Sequence, residues 1–343
     1  MADYLDRLKY RTTKTDVQIR IERITNIERK NEKENPFDIL PPYSMRGPKR
    51  GVVLVINNID FENSDLSNKL EERNGADVDA ENLKKLFVQM GFIWIYWENQ
   101  TRKQIKENLK KFTDYSNKTL SEVDSCFVFV MSHGTHEDKF FTYDNLKVKS
   151  TDILDRFDNS NCQQLRGKPK VIIFQMCRGE LEDQLILNER LLAEQYDVPE
   201  CQMDMEAQIL TTDNTTSPRI SDILICYSTS PGFRSFRDPK GSWFIRYFCE
   251  VFMTYSCNMD VENLLKIVAM KVSKQYTEYN ALQIPRIENI LFREFYLYPL
   301  SEKTNYGFHT WWKRNKVLIF LGVVIIILNI YLLLETKNTK WQL

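Results

Sequence analysis

Short uncharged apolar runs alternate with amphipathic helical patterns along the middle of this chain, and that alternation limits its fold more than any other feature. Residues 52–56 read Val-Val-Leu-Val-Ile, and similar runs occur at 126–131, 171–174 and 223–227. Such runs lack a polar face, as expected of strands buried on both sides. Between the first two, Asp77 and Asp79 open a helix with Leu83, Leu86, Phe87 and Met90 on one face, and Gly91 stops it. A further strand at 92–97 and a helix at 104–112 follow. Helices are expected at 242–254 and 261–273, the second capped by Asp260. Closing strands are expected at 284–291 and 294–298. Strands alternating with helices give an α/β fold with a mostly parallel sheet covered on both faces. Sites in such sheets form at the C-terminal ends of strands.

Two of those ends carry chemistry. Ser132-His133-Gly134 follows the 126–131 run, and Gln175-Met176-Cys177-Arg178-Gly179 follows 171–174. Only a thiolate attacks, and an adjacent imidazole can form and stabilise it at neutral pH. His133 and Cys177 are therefore the candidate acid/base and nucleophile. His136 makes an H-x-x-H pair with His133, but no third or fourth ligand accompanies it, so it reads as a loop residue and no metal or cofactor is expected.

Composition narrows the class. Lys and Arg together number 47, as do Asp and Glu, so charge gives no reason to expect nucleic acid as a partner. Seven cysteines are scattered without a C-x-x-C pair, which fits a reducing compartment and opposes both a disulfide framework and a zinc site. No apolar h-region opens the chain, so no signal peptide is expected.

From about residue 51 to 299 the chain resembles the caspases. Five separated motifs carry the resemblance: Val55-Ile56-Asn57-Asn58; Arg73-Asn74-Gly75-Ala76-Asp77-Val78-Asp79; Ser132-His133-Gly134; Gln175-Met176-Cys177-Arg178-Gly179; and Tyr227-Ser228-Thr229 with residues 232–237 and Gly241-Ser242-Trp243. The resemblance implies a three-layer caspase-like fold around a mostly parallel six-stranded sheet. It implies a cysteine endopeptidase with Cys177 as nucleophile, His133 as acid/base partner, and Gly134 and Cys177 as main-chain donors to the oxyanion. It places Arg73, Gln175 and Arg237 around the substrate aspartate, where two guanidinium forks can hold one carboxylate. It places Ser235 where main chain pairs with the substrate strand, and Phe236 beside the second subsite. Asp238 next to them should disfavour an acidic residue four places before the cut. Met176 stands where the family signature has Ala, and packing variation is the expected reason. An inactive homologue that regulates active caspases by binding them is the alternative. The Arg- or Lys-specific relatives need an acidic pocket, which Arg73 and Arg237 oppose.

The remaining segments complete the expected organisation. Residues 1–42 form a short polar arm, 43–179 and 218–300 the large- and small-subunit regions, and 180–217 a linker cleaved to mature a zymogen. Asp213 is the preferred linker site, with Asp204 and Asp197 behind it. Two processed units should pair through the edge strand near 284–291. Residues 301–316 lead to an uncharged run at 317–334, and 335–343 form a tail. As a helix that run would be about 27 Å long, close to the hydrocarbon core of a thin bilayer. Lys313, Arg314 and Lys316 before it, with Trp311 and Trp312, place the preceding domain on the cytoplasmic side. The expectation is a tail anchor in the mitochondrial outer membrane or the endoplasmic reticulum.

Overall fold

The computed structural model describes residues 41–45, 47, 49–62, 70–184 and 218–297, and all structural statements concern these. Strand β1 (Val52–Asn57) leads to helix α1 (Ala76–Gln89), β2 (Ile93–Glu98), α2 (Arg102–Phe112), the short α3 (Lys118–Glu122) and β3 (Cys126–Met131). A hairpin of β4 (Lys139–Phe141) and β5 (Lys147–Lys149) precedes α4 (Ser150–Leu154) and β6 (Lys170–Gln175). Then come β7 (Asp183–Gln184), β8 (Ile223–Tyr227), β9 (Arg237–Asp238) and β10 (Gly241–Ser242). The last elements are α5 (Trp243–Tyr255), α6 (Val261–Val272), β11 (Ala281–Leu282) and β12 (Arg286–Ile290).

Six strands form one sheet in the order β12-β8-β6-β3-β1-β2. All neighbours are parallel except the edge pair β12–β8. Side chains alternate across it, as strand geometry requires. Val53, Val55, Phe127, Phe129, Val171, Ile173 and Leu224 pack beneath α1, α5 and α6. Leu54, Ile56, Val128, Val130, Ile172 and Ile225 pack against Ile105 and Leu109 of α2, Leu120 of α3 and Ile153 of α4. The expected doubly covered, mostly parallel sheet is therefore present.

Register positions the site. Asn57 pairs with Met131, and Met131 with Gln175. The three strands thus end flush, and residues two places beyond β3 and β6, His133 and Cys177, leave the sheet side by side.

Two expectations need correction. Residues 294–297 are not a strand: Phe295 and Leu297 bury in the core, while Glu294 and Phe295 carbonyls accept from Tyr43 and Val261 N–H at 2.9 and 2.8 Å. Single main-chain bonds to a loop and a helix start have replaced a ladder. Helix α2 begins at Arg102 rather than 104, because Thr101 and Gln104 close a capping box. At the start of the expected 180–217 linker, Leu181 bridges Phe233 and β7 pairs with β11. Residues 1–40, Asp197, Asp204, Asp213 and the apolar run at 317–334 lie outside the described residues. Among the described residues, no helix is long and apolar enough to cross a membrane.

Candidate active site

Gly134 brings the two strand ends together. A Cβ built there would stand 1.9 Å from the Cys177 carbonyl oxygen, so only a glycine lets the chain after His133 lie against that of Cys177. The Cys177 thiol is partly exposed and lies against Ser235 main chain, whose N–H points at Sγ from 3.4 Å. Its carbonyl oxygen lies 3.7 Å from Sγ.

His133 Nε2 lies 2.8 Å from the Glu71 carbonyl oxygen. A carbonyl only accepts, so this nitrogen carries hydrogen and Nδ1 is the lone-pair nitrogen of the neutral ring. Burial lowers the His133 pKa most; the Glu71 contact opposes that, and the Arg73 and Arg237 charges add to it. The ring is held towards its neutral form, the form that can take a proton from a thiol. Phe61 packs against it with centroids 5.0 Å apart. Neither Glu71 nor Phe61 announces itself in the sequence. One contributes a carbonyl that every residue has, and the other lies far along the chain.

The three expected pocket residues converge beside the thiol. Arg73 is buried at 5% exposure, and its Nη1 donates to Asn57 Oδ1 at 3.0 Å and to the Asn58 carbonyl at 2.7 Å. Its Nη2 is buried without a hydrogen-bond partner. Arg237 Nη1 donates to the Arg73 carbonyl at 3.2 Å. Gln175 Nε2 donates to Ser235 Oγ at 2.9 Å. Burial and then the nearby Arg237 charge lower the Arg73 pKa, whereas Asp79 and Cys177 raise it. Two cations held together, with a buried donor in reserve, make a site for an anion.

The walls are fixed by residues that spacing did not single out for this. Gln283, fully buried after β11, accepts from Phe236 N–H at 2.7 Å and donates to the Ser228 carbonyl at 2.7 Å. Phe236 packs on Trp243 with centroids 4.9 Å apart. Arg178 is buried, forks onto Asp138 with bonds of 2.6 and 2.8 Å, and stacks 3.9 Å from the Tyr227 ring. Met176 is buried among the apolar residues of the α2 face, and Ser228 Oγ donates to its carbonyl at 3.1 Å. The thioether thus fills core volume, which accounts for a larger residue than Ala at that position. Asp238 pairs with Arg246 at 3.1 Å, both side chains being partly exposed. His136 is exposed on its loop, and among the described residues no group of three or more His, Cys, Asp or Glu could hold a metal.

Comparison with known proteins identifies one family across most of the chain. The caspase domain family matches residues 50–296. The chain is 30% identical to caspase-6 of Gallus gallus over 280 residues, covering 79% of this chain and 88% of the relative. It is 30% identical to caspase-3 of Mesocricetus auratus over 267 residues, covering 75% and 87%. Caspase Dronc of Drosophila melanogaster is 29% identical over 268 residues, covering 75% and 57%.

Proposed function

The chain belongs to the caspase family, and on that premise we propose that it is a cysteine endopeptidase that cuts proteins after aspartate with Cys177 and His133. Buried Arg73, with an unpartnered nitrogen beside Arg237 and the thiol, is the observation that carries this reading. An aspartate side chain supplies the acceptor that this nitrogen lacks. An Asn in its place brings no charge to two dehydrated cations, a difference that can discriminate by about 10⁴-fold.

His133 Nδ1 takes the thiol proton as Cys177 Sγ attacks the scissile carbonyl. The oxyanion draws on the N–H groups of Gly134 and Cys177, donors typically worth about 3 kcal/mol each. The imidazolium then protonates the departing amine, and water hydrolyses the thioester. Ser235 main chain, now against Sγ, turns to the substrate strand, with Phe236 beside the second subsite.

The enzyme is made as a zymogen and cut in the 180–217 linker, Asp213 first among Asp213, Asp204 and Asp197. Two processed units pair through β12, whose outer edge no strand among the described residues covers. Residues 317–334 tether it by the tail to the mitochondrial outer membrane or the endoplasmic reticulum. Confinement to a surface then raises the effective concentration for pairing. Relationship to apoptotic caspases supports a place in apoptosis or a related proteolytic cascade.

The test is turnover of Asp-ending and matched Asn-ending fluorogenic tetrapeptides by the chain and by its Cys177→Ala variant. Turnover of the Asp peptides alone, abolished by Cys177→Ala, is expected. Absence of turnover at high protein and in dimer-promoting salt would instead favour an inactive regulator. The tether is tested separately: deletion from residue 317 should release the protein from membranes and weaken its activation in cells. Unchanged activation would remove the anchor from the mechanism.

A further inference from the structure

The paired guanidinium groups share one buried carboxylate. Asp79, in the first turn of α1, is 1% exposed, and its Oδ2 lies 3.6 Å from Arg237 Nη2. A first-turn aspartate ordinarily faces water and favours the helix dipole from there. This one is turned inward and held by Ser242 N–H, 2.9 Å from Oδ1 and 3.2 Å from Oδ2. The niche is shaped for it: Gly241 has φ +107°, and a Cβ there would stand 2.4 Å from Asp79 Oδ1. Burying a carboxylate is costly unless it is paired, and here its cationic partner is a pocket arginine.

Charge at the pocket then balances in a particular way. Arg73 and Arg237 supply two positive charges and Asp79 one negative charge, leaving the site short of a single negative charge. We propose that Asp79 is a positioning residue for recognition of the substrate aspartate: it fixes Arg237 beside Arg73 and sets the pocket to accept one carboxylate. The inference rests on the aspartate-specific reading of this pocket.

The other groups facing this cluster do not supply the same charge. Asp77 on the same helix acts on Arg237 only through space. Cys249 on α5 is a buried thiol whose pKa burial pushes up to about 12. Tyr96 on β2 is likewise pushed up to about 12, chiefly by burial. Both are therefore neutral at physiological pH. The Asp238 carboxylate is engaged by Arg246, and Cys177 lies at the pocket mouth. Burial raises the Asp79 pKa to about 6, against the opposing pull of Arg237 and the Ser242 contacts. Its hold on Arg237 should weaken in mild acid, where a substrate aspartate is still ionised.

The experiment is calorimetric binding of an Asp-ending peptide to the full-length Cys177→Ala protein, with and without Asp79→Asn, at about pH 7.5 and about pH 5. This background reads the pocket without catalysis, so a catalytically silent wild type would fail the protease reading and leave this one decidable. Asp79→Asn should weaken binding about tenfold or more at the higher pH, with little difference at the lower. Binding of an Asn-ending peptide should not change. The variant's Tm at the higher pH should stay level or rise, because a costly buried charge has gone. Unchanged or tighter binding would overturn the proposal. So would equal weakening at both pH values with a lowered Tm, the mark of a merely structural residue. Should the variant fail to fold, the same peptide on the unmutated pocket decides: binding must weaken as pH falls through about 6, and a flat profile refutes it.

Discussion

A methyl group added at Gly134 would collide with the Cys177 carbonyl oxygen, so at the scale of single residues the catalytic geometry depends on what is missing. Gly134→Ala must push the two strand ends apart, displacing the proposed oxyanion donor and the proposed nucleophile together. A loss of about 10²-fold or more in kcat is expected, measured after active-site titration so that misfolded protein is not counted. Asp79 gives a second residue-scale test, in stability. Its pKa is near 3.8 unfolded and about 6 folded, so the folded state binds the extra proton between those values. Ionised Asp79 therefore costs about 3 kcal/mol above pH 6, and the cost vanishes as pH falls below the unfolded value. Asp79→Asn should raise the urea midpoint at pH 7.5, and the advantage should close towards pH 4. His133 and Cys177 were legible from residue type and position at strand ends. Asp79 was legible only as a helix opener, because its inward turn depends on Gly241 and Ser242, far along the chain.

At the scale of elements, the loop bearing Ser235, Phe236 and Arg237 is held from outside itself. Gln283, just beyond β11, ties Phe236 N–H to the Ser228 carbonyl. Gln283→Ala would leave the buried Ser228 carbonyl unpaired, at about 1–3 kcal/mol, and the part-buried Phe236 N–H without its acceptor, at less. It should raise KM for the tetrapeptide about tenfold, since the loop would lose its fixed distance from the thiol. Initial rates over a peptide concentration series would check this. Five strands of the main sheet were readable because each carries an unbroken apolar run, whereas the edge strand β12 mixes Arg286, Glu288 and Asn289 with its two isoleucines. The short pairings β4–β5, β7–β11 and β9–β10 were not readable, because strands of two or three residues carry no periodicity and owe their shape to neighbours. The segment at 294–297 shows the converse: its aromatic-rich run reads as a strand, but Phe295 and Leu297 found a core and its main chain found no ladder.

Across the whole molecule the two ends of the sheet do different work. The C-terminal ends hold the thiol, imidazole and pocket. The N-terminal ends hold a buried polar cluster in which Asp222 accepts from Tyr43 at 2.8 Å and Ser221 at 2.7 Å. Close by, fully buried Lys170 donates to Asn159 Oδ1 and the Leu165 carbonyl. Burial lowers the Lys170 pKa and Asp222 raises it. Asp222→Ala should therefore cost about 3 kcal/mol, by leaving the Tyr43 and Ser221 hydroxyls without their acceptor and removing a negative charge that favours charged Lys170, seen as a lowered urea midpoint, while kcat/KM per folded site stays unchanged. Beyond the aspartate-accepting arginine pair, which the resemblance to caspases implies, the chain's own sequence determined the α/β layering and the candidate nucleophile and base. Those follow from local apolar patterning and from motifs that are contiguous in the chain. Tertiary structure alone decided which carbonyl orients His133, which carboxylate anchors Arg237 and where Met176 packs, because each depends on contacts between segments that only folding brings together.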